Sequence, residues 1–263
     1  METRASETPS GDSFFVRNSF LIYRLFSLSG LLPIGGYLVI HLLTNATVLD
    51  SPATFQKQVY TIHSLGMLLP VVEWMFIFLP LIFHAVVGMT VISTMHANTA
   101  AYPHGPNIRY TLQRATGMIA MVFILWHVFH MHKMFAAFEG LGAAQFDPHH
   151  AASSAGDALQ ASLFVQLGYF IGVVACVYHL ANGLWTFGIT WGLWLSAAAQ
   201  KRAAYICGGF GVLVLVFGLS ALFGMTQVDT EKARVIEDRM HQEQLRLQGE
   251  DVANDTSVDD AVH

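Results

Sequence analysis

Four histidines lie inside long apolar stretches of this sequence: His41, His84, His127 and His179. An ionisable side chain surrounded by hydrocarbon is costly unless it is paired or bound. A single such histidine is ordinarily a hydrogen bond between helices, but four on four separate stretches point to a shared task. Neutral imidazole is a strong axial ligand for haem iron, and two imidazoles on one iron leave no open coordination position. A site of that kind passes electrons. Zinc suits the pattern less well, because it takes three or four Cys, His or carboxylate ligands. Here Cys176 and Cys207 are misplaced, and the apolar stretches nearly lack acids. His130 shares a helix face with His127 at i and i+3. The deeper His127 is the expected ligand, while His130 and His132 lie nearer the boundary, within reach of propionates, quinone or water. His149, His150 and His241 read as solvated.

The elements that must hold these side chains follow from composition. Of the 263 residues, 54% are hydrophobic and 12% charged, against about 25% charged in an ordinary soluble domain. From Thr61 to Leu112 the acids and bases are Glu73 and Arg109 alone. Apolar runs at 20–44, 65–95, 114–138, 161–190 and 203–225 each reach the ~20 residues that cross ~30 Å of hydrocarbon. The expected fold is an all-α integral membrane protein, a five-transmembrane-helix bundle with room for two haems. Pro33, Pro70 and Pro80 should kink or start helices. Gly35-Gly36 and Gly208-Gly209 allow close helix approach, and Gly30, Gly88, Gly117 and Gly183 leave space beside the histidines. The division is an N-terminal segment over 1–19, a membrane domain over 20–225 and an acidic tail over 226–263. No cleavable signal peptide is evident over Met1–Asp12. The two cysteines form no spacing motif or disulfide framework.

Charge sets orientation. Arg4, Arg17, Arg24, Arg109, Arg114, Lys201 and Arg202 flank one side of the spans, and only Lys57 and Lys133 the other. Seven against two places the N-terminus in the cytoplasm and the tail outside. The tail after Met225 carries ten acids against four bases, so the net charge of -5 belongs to it. No basic block suggests nucleic acid. Val235, Ile236, Met240, Leu245 and Leu247 give the tail two readings, a surface helix or a segment disordered beyond Gly249. With this orientation His41 and His127 lie toward the outer side, and His84 and His179 toward the inner side. Two bis-histidine haems would then stack across the bilayer. Arg24 and Arg114, near the inner ends of the first and third spans, could neutralise haem carboxylates; as plain membrane anchors they would snorkel instead.

The stretch YRLFSLSGLLPIGGYLVIHLLTN (Tyr23–Asn45) resembles the first span of the cytochrome b558 membrane anchor of succinate dehydrogenase. FLPLIFHAVVG around His84, LQRATG before the third span, WHVF around His127 and YHLANGLWTFGITWG around His179 resemble the same family, in order, over roughly 14–225. The resemblance implies a single-chain, five-helix, di-haem anchor in the bacterial cytoplasmic membrane. Its partners would be a flavoprotein subunit and an iron-sulfur subunit on the cytoplasmic face, oxidising succinate and reducing quinone, typically menaquinone, or running in reverse. It implies two haem b groups: an outer, low-potential one on His41 and His127, and an inner, high-potential one on His84 and His179. Quinone candidates near the outer haem are Glu73, Trp74 and His130. The connection over 139–160 and the acidic tail depart from the family pattern and leave room for an extra partner.

The chain carries none of the succinate chemistry: it has no dinucleotide motif at a strand-to-helix turn and no cysteine cluster for iron-sulfur centres. Two rival classes share its features. A cytochrome b anchor of another oxidoreductase, such as a hydrogenase or formate dehydrogenase, would copurify with a nickel or molybdenum subunit. A non-enzymatic histidine-containing transporter or anchor would show no Soret absorbance.

Overall fold

The computed structural model describes residues 17–94 and 105–259. Most of the N-terminal segment, including Arg4, lies outside those residues, as does 95–104, the greater part of the second connection. Among the described residues the protein is all-helical, without a strand. Five helices are long and apolar enough to cross a membrane: Ser19–Leu49, Gly66–Ser93, Asn107–Met131, Leu163–Thr190 and Ala197–Gln227. The protein is a multi-pass membrane protein.

Local sequence explains where these spans begin, bend and end. Ser162 and Ser196 start the fourth and fifth spans, each side chain accepting a backbone N–H three residues on, which satisfies one of the donors a helix start leaves free. Pro33 lies inside a π-helical turn, Gly30–Gly35, in the first span. A second π turn, Trp74–Phe78, precedes Pro80 in the second span. Proline lacks the N–H of the regular ladder and crowds the preceding turn, and a widened turn absorbs both effects. The third span differs from the expected 114–138. It runs about seven residues earlier because Arg109 and Arg114 are taken into the helix rather than left in a loop. Their guanidinium groups lie over the rings of Trp185 at 4.2 Å and Tyr110 at 4.0 Å. At the far end His132 turns extended and its ring accepts the N–H of Met134, which closes the helix and opens a 3-10 segment, Lys133–Leu141.

The fourth span is central, packed between the third and the fifth, and the fifth also packs along the first. Between membrane helices the contacts are van der Waals contacts, so small residues decide where backbones meet. Gly211 lies against Ala181, and Gly218 against Val173 and Leu42. Gly36, Gly208 and Gly209 face open space, so the expected Gly208-Gly209 approach is made by Gly211 and Gly218 instead.

At one end of the bundle the chain builds a cap outside the spans. Helices Pro52–His63, Ala151–Gln160 and the tail helix Thr230–Asp259 pack together. Val48, Phe55, Val59, Leu159, Met225 and several alanines form their shared core. The tail helix runs from Thr230 through Asp259. The ends of the first, third and fifth spans meet this cap, as do the starts of the second and fourth. The cap also holds the histidines expected in solvent. The His150 ring lies between Asp147 at 3.1 Å and Asp238 at 3.0 Å, and the His149 and His241 rings lie tilted with centres 4.3 Å apart.

Candidate functional site

The bundle brings the four intramembrane histidines together in twos. His41 and His127 face each other near the capped end, with ring centres 5.8 Å apart. His84 and His179 meet nearer the other end at 6.2 Å. Two imidazoles that share one iron, at about 2 Å per Fe–N bond, stand with ring centres about 6 Å apart. Both pairs have that separation. Among the described residues no three His, Cys, Asp or Glu side chains gather as a metal site.

The remaining ring nitrogens decide which nitrogen is free for a metal. His84 Nδ1 is 3.0 Å from the carbonyl oxygen of Phe26, and His179 Nδ1 is 3.0 Å from that of Gln113. A carbonyl oxygen only accepts, so both Nδ1 atoms carry the proton and both Nε2 atoms present a lone pair. That is the tautomer in which a second partner orients a ligating histidine. At the capped end the partners are hydroxyls: Tyr37 is 3.5 Å from His41 Nδ1, and Tyr169 is 3.2 Å from His127 Nδ1. Gly30 and Gly117 lie so close to the His84 and His179 rings that a methyl group at either position would strike the imidazole. Phe26 stacks on His84 at 4.4 Å, and Phe123 on His127 at 5.7 Å.

Comparison with known proteins finds a relative for the chain, although no family model matches it. It is 31% identical over 204 residues to the succinate dehydrogenase cytochrome b558 subunit of Bacillus subtilis (strain 168), an alignment covering 78% of this chain and 96% of that protein. The chain belongs to that family.

Other expected site residues of this cytochrome b558 family member are distributed as follows. Arg24 lies over Phe20 at 5.0 Å and Trp191 at 4.7 Å, at the end of the bundle away from the cap. Arg114 reaches Val91 O at 3.5 Å as well as Tyr110. Glu73 ends the helix Leu69–Glu73 just before the second-span π turn, and its carboxylate lies 3.6 Å from His132 Nε2. Trp74 packs on Phe78 at 5.3 Å, and Phe78 on His132 at 5.5 Å. His130 is not in that group. It is 8% exposed, stacked on Trp126 at 5.3 Å, and its Nδ1 is 2.9 Å from the Tyr169 hydroxyl.

Three polar partners escaped sequence reasoning. Gln113 gives its carbonyl to His179, and its side chain accepts from buried Asn182 at 2.8 Å while its Nε2 lies 3.2 Å from His179 O. Tyr169, 6% exposed, contacts His127 and His130 together. The available signal was a neutral polar residue within an apolar helix: Gln113 in LQRATG and Asn182 in YHLAN stand in motifs already singled out.

Proposed function

We propose that the chain is the di-haem cytochrome b anchor of a succinate dehydrogenase or fumarate reductase complex, carrying electrons from an iron-sulfur subunit to a quinone of the menaquinone type. The observation that carries this reading is the presence of two facing histidine pairs at two depths of one five-helix bundle. His41 with His127, and His84 with His179, would hold two haem b groups. Haem, when bound, supplies reversible one-electron transfer at iron. The chain's own residues do the rest. Phe26 O and Gln113 O hold two ligand rings through Nδ1, the Gln113 side-chain amide lies 3.4 Å from His179 Nε2, and Gly30 and Gly117 let the backbone pass close against those rings. Arg24 and Arg114 provide positive charge for haem propionates at the uncapped end.

That end is the cytoplasmic one in this reading, because Arg17, Arg24, Arg109, Arg114, Lys201 and Arg202 cluster there. It is the face that receives the flavoprotein and iron-sulfur subunits. The N-terminus is cytoplasmic and the capped end faces outward, in a bacterial cytoplasmic membrane. Quinone binds near the outer pair, where Glu73, His132 and Trp74 come together; His130 serves the haem ligand rather than the quinone. The chain is not itself catalytic for succinate.

Purification from the native membrane under mild detergent tests the reading. The expected result is recovery with a covalent-flavin subunit, an iron-sulfur subunit and two haems per chain by pyridine haemochrome. Recovery with a nickel or molybdenum subunit, or folded protein with no Soret band, would refute it.

A further inference from the structure

The two histidine pairs are oriented by different chemistry. His84 and His179 donate to backbone carbonyls, which no substitution can delete. His127 depends on one side chain, Tyr169, whose hydroxyl lies 3.2 Å from His127 Nδ1 and 2.9 Å from His130 Nδ1. Tyr169 is fixed by packing against Phe123, Trp126 and the cap core, and His130 is buried flat against Trp126 at an interplanar angle of 7°. The three polar groups form a closed line with few alternatives.

A phenol has one proton, so it can donate to only one of the two rings. If His127 Nε2 holds a metal, Nδ1 carries the imidazole proton and donates to Tyr169 Oη. The hydroxyl proton is then committed to His130 Nδ1, which must be the unprotonated nitrogen of that ring. Ligation at His127 therefore sets the proton position at all three residues. A hydroxyl that donates onward is also a better acceptor, because successive hydrogen bonds polarise one another.

We infer that Tyr169, supported by His130, is a positioning residue for the His127 ligand and sets the potential of the outer haem independently of the inner one. This rests on the proposed di-haem function. The hydrogen bond from His127 Nδ1–H makes the imidazole a stronger donor to iron and favours the ferric state. Removing the acceptor weakens that donation and favours the ferrous state. Tyr169→Phe keeps the ring and its packing while deleting the oxygen. His130→Ala leaves the His127–Tyr169 bond but removes the onward acceptor, so its effect has the same sign and is smaller.

The test is a potentiometric titration of the membrane-bound complex, read optically and by the low-spin haem signals, with haem content measured in parallel. Wild type, Tyr169→Phe, His130→Ala and His84→Ala are compared; the last identifies the inner haem by its loss. The expected result is two haems in Tyr169→Phe, a higher midpoint for the outer haem alone, and a smaller upward shift in His130→Ala. If Tyr169→Phe instead releases the outer haem, the His130→Ala shift carries the test. Two bound haems with both midpoints unchanged in Tyr169→Phe, or a shift confined to the inner haem, overturn the inference and leave the proposed function standing. Absence of haem from the wild-type protein overturns both.

Discussion

Replacing Glu237 by alanine should loosen the cap without unfolding the membrane bundle. Glu237 is fully buried on the tail helix, and its carboxylate takes the N–H of Ala152 at 2.6 Å and that of Ser153 at 3.3 Å. It also accepts the Ser153 hydroxyl at 2.5 Å. Those N–H groups open the helix Ala151–Gln160, where free donors and the helix dipole favour an anion. In Glu237→Ala the hydroxyl can fall back on His150 O, 3.4 Å away, but the two backbone donors lose their acceptor. Each orphaned buried donor costs about 1–3 kcal/mol, or roughly 4 kcal/mol for the pair. Two effects oppose this. Burial is the largest influence on the Glu237 carboxyl and pushes it up, so deleting it relieves a desolvation cost, and water can enter the vacated polar site. A net loss of about 2–3 kcal/mol remains. At about 1.4 kcal/mol per factor of ten, amide hydrogen exchange over 151–160 and 230–247 should speed up by roughly 30–150-fold. Exchange in the fourth span should be unchanged. Protection within about twofold of wild type over both cap segments would refute the idea that the buried carboxylate joins tail to loop.

The same joint should respond to pH. His150 is raised above 6.5 chiefly by its hydrogen bond to Asp147 and next by that to Asp238, so its contribution is complete below 6.5 and lost as pH rises through the raised value. Raised Glu237 acts in the same direction from 4.5 upward, whereas Asp147, lowered by His149 N–H and His150 against the effect of burial, contributes above 3.8 and fails as pH falls. With Lys133, His149, His241 and Tyr60 also nearby, cap protection should peak in mild acid and decline above neutrality, and His150→Gln should flatten that decline in hydrogen exchange. In the spans, His41→Ala with His127→Ala should cost one haem in total, no more than either alone, while His41→Ala with His84→Ala should cost both; pyridine haemochrome per mole of chain decides it.

The spans were readable because a bilayer demands unbroken apolar length, and the four histidines because the apolar runs hold almost no acids or bases beside them. Hydropathy misplaced the third span, since it scores Arg109 and Arg114 as exposed, whereas aromatic faces at Trp185 and Tyr110 accept the guanidinium groups within the helix. Nor does hydropathy mark which face of the tail packs. Val235, Leu245 and Leu247 are half exposed, while Ala233 and Glu237 are fully buried and His241 reaches the His149 ring. That stripe recurs every four residues but mixes a methyl, a carboxylate and an imidazole, so no apolar periodicity marks it. Tyr169 was illegible for a related reason: a tyrosine in an apolar helix is ordinary, and only the register of the third and fourth spans brings its hydroxyl between His127 and His130.

The depth difference between the pairs carries an energetic consequence that geometry alone can scale. Tyr169, which contacts His127, and His179 lie on the same helix ten residues apart, about 15 Å at 1.5 Å per residue. That is about half of a ~30 Å hydrocarbon layer. A full crossing exchanges about 2.3 kcal/mol per charge per 100 mV, so an electron passing from the inner pair to the outer exchanges about 1.2 kcal/mol, roughly a sevenfold change in equilibrium. In the proposed orientation the electron moves toward the positive side, and the membrane potential favours the step. Menaquinone is a poor acceptor for succinate's electrons, so the reaction toward it starts uphill and a bias of this size matters. Succinate-to-quinone turnover in energised vesicles should therefore fall several-fold when an uncoupler collapses the potential. The reverse direction, fumarate reduction by quinol, should not be slowed by the same treatment. Turnover unchanged by the uncoupler, with succinate supply not limiting, would mean that electrons leave the chain at His84 and His179, before the field acts on them.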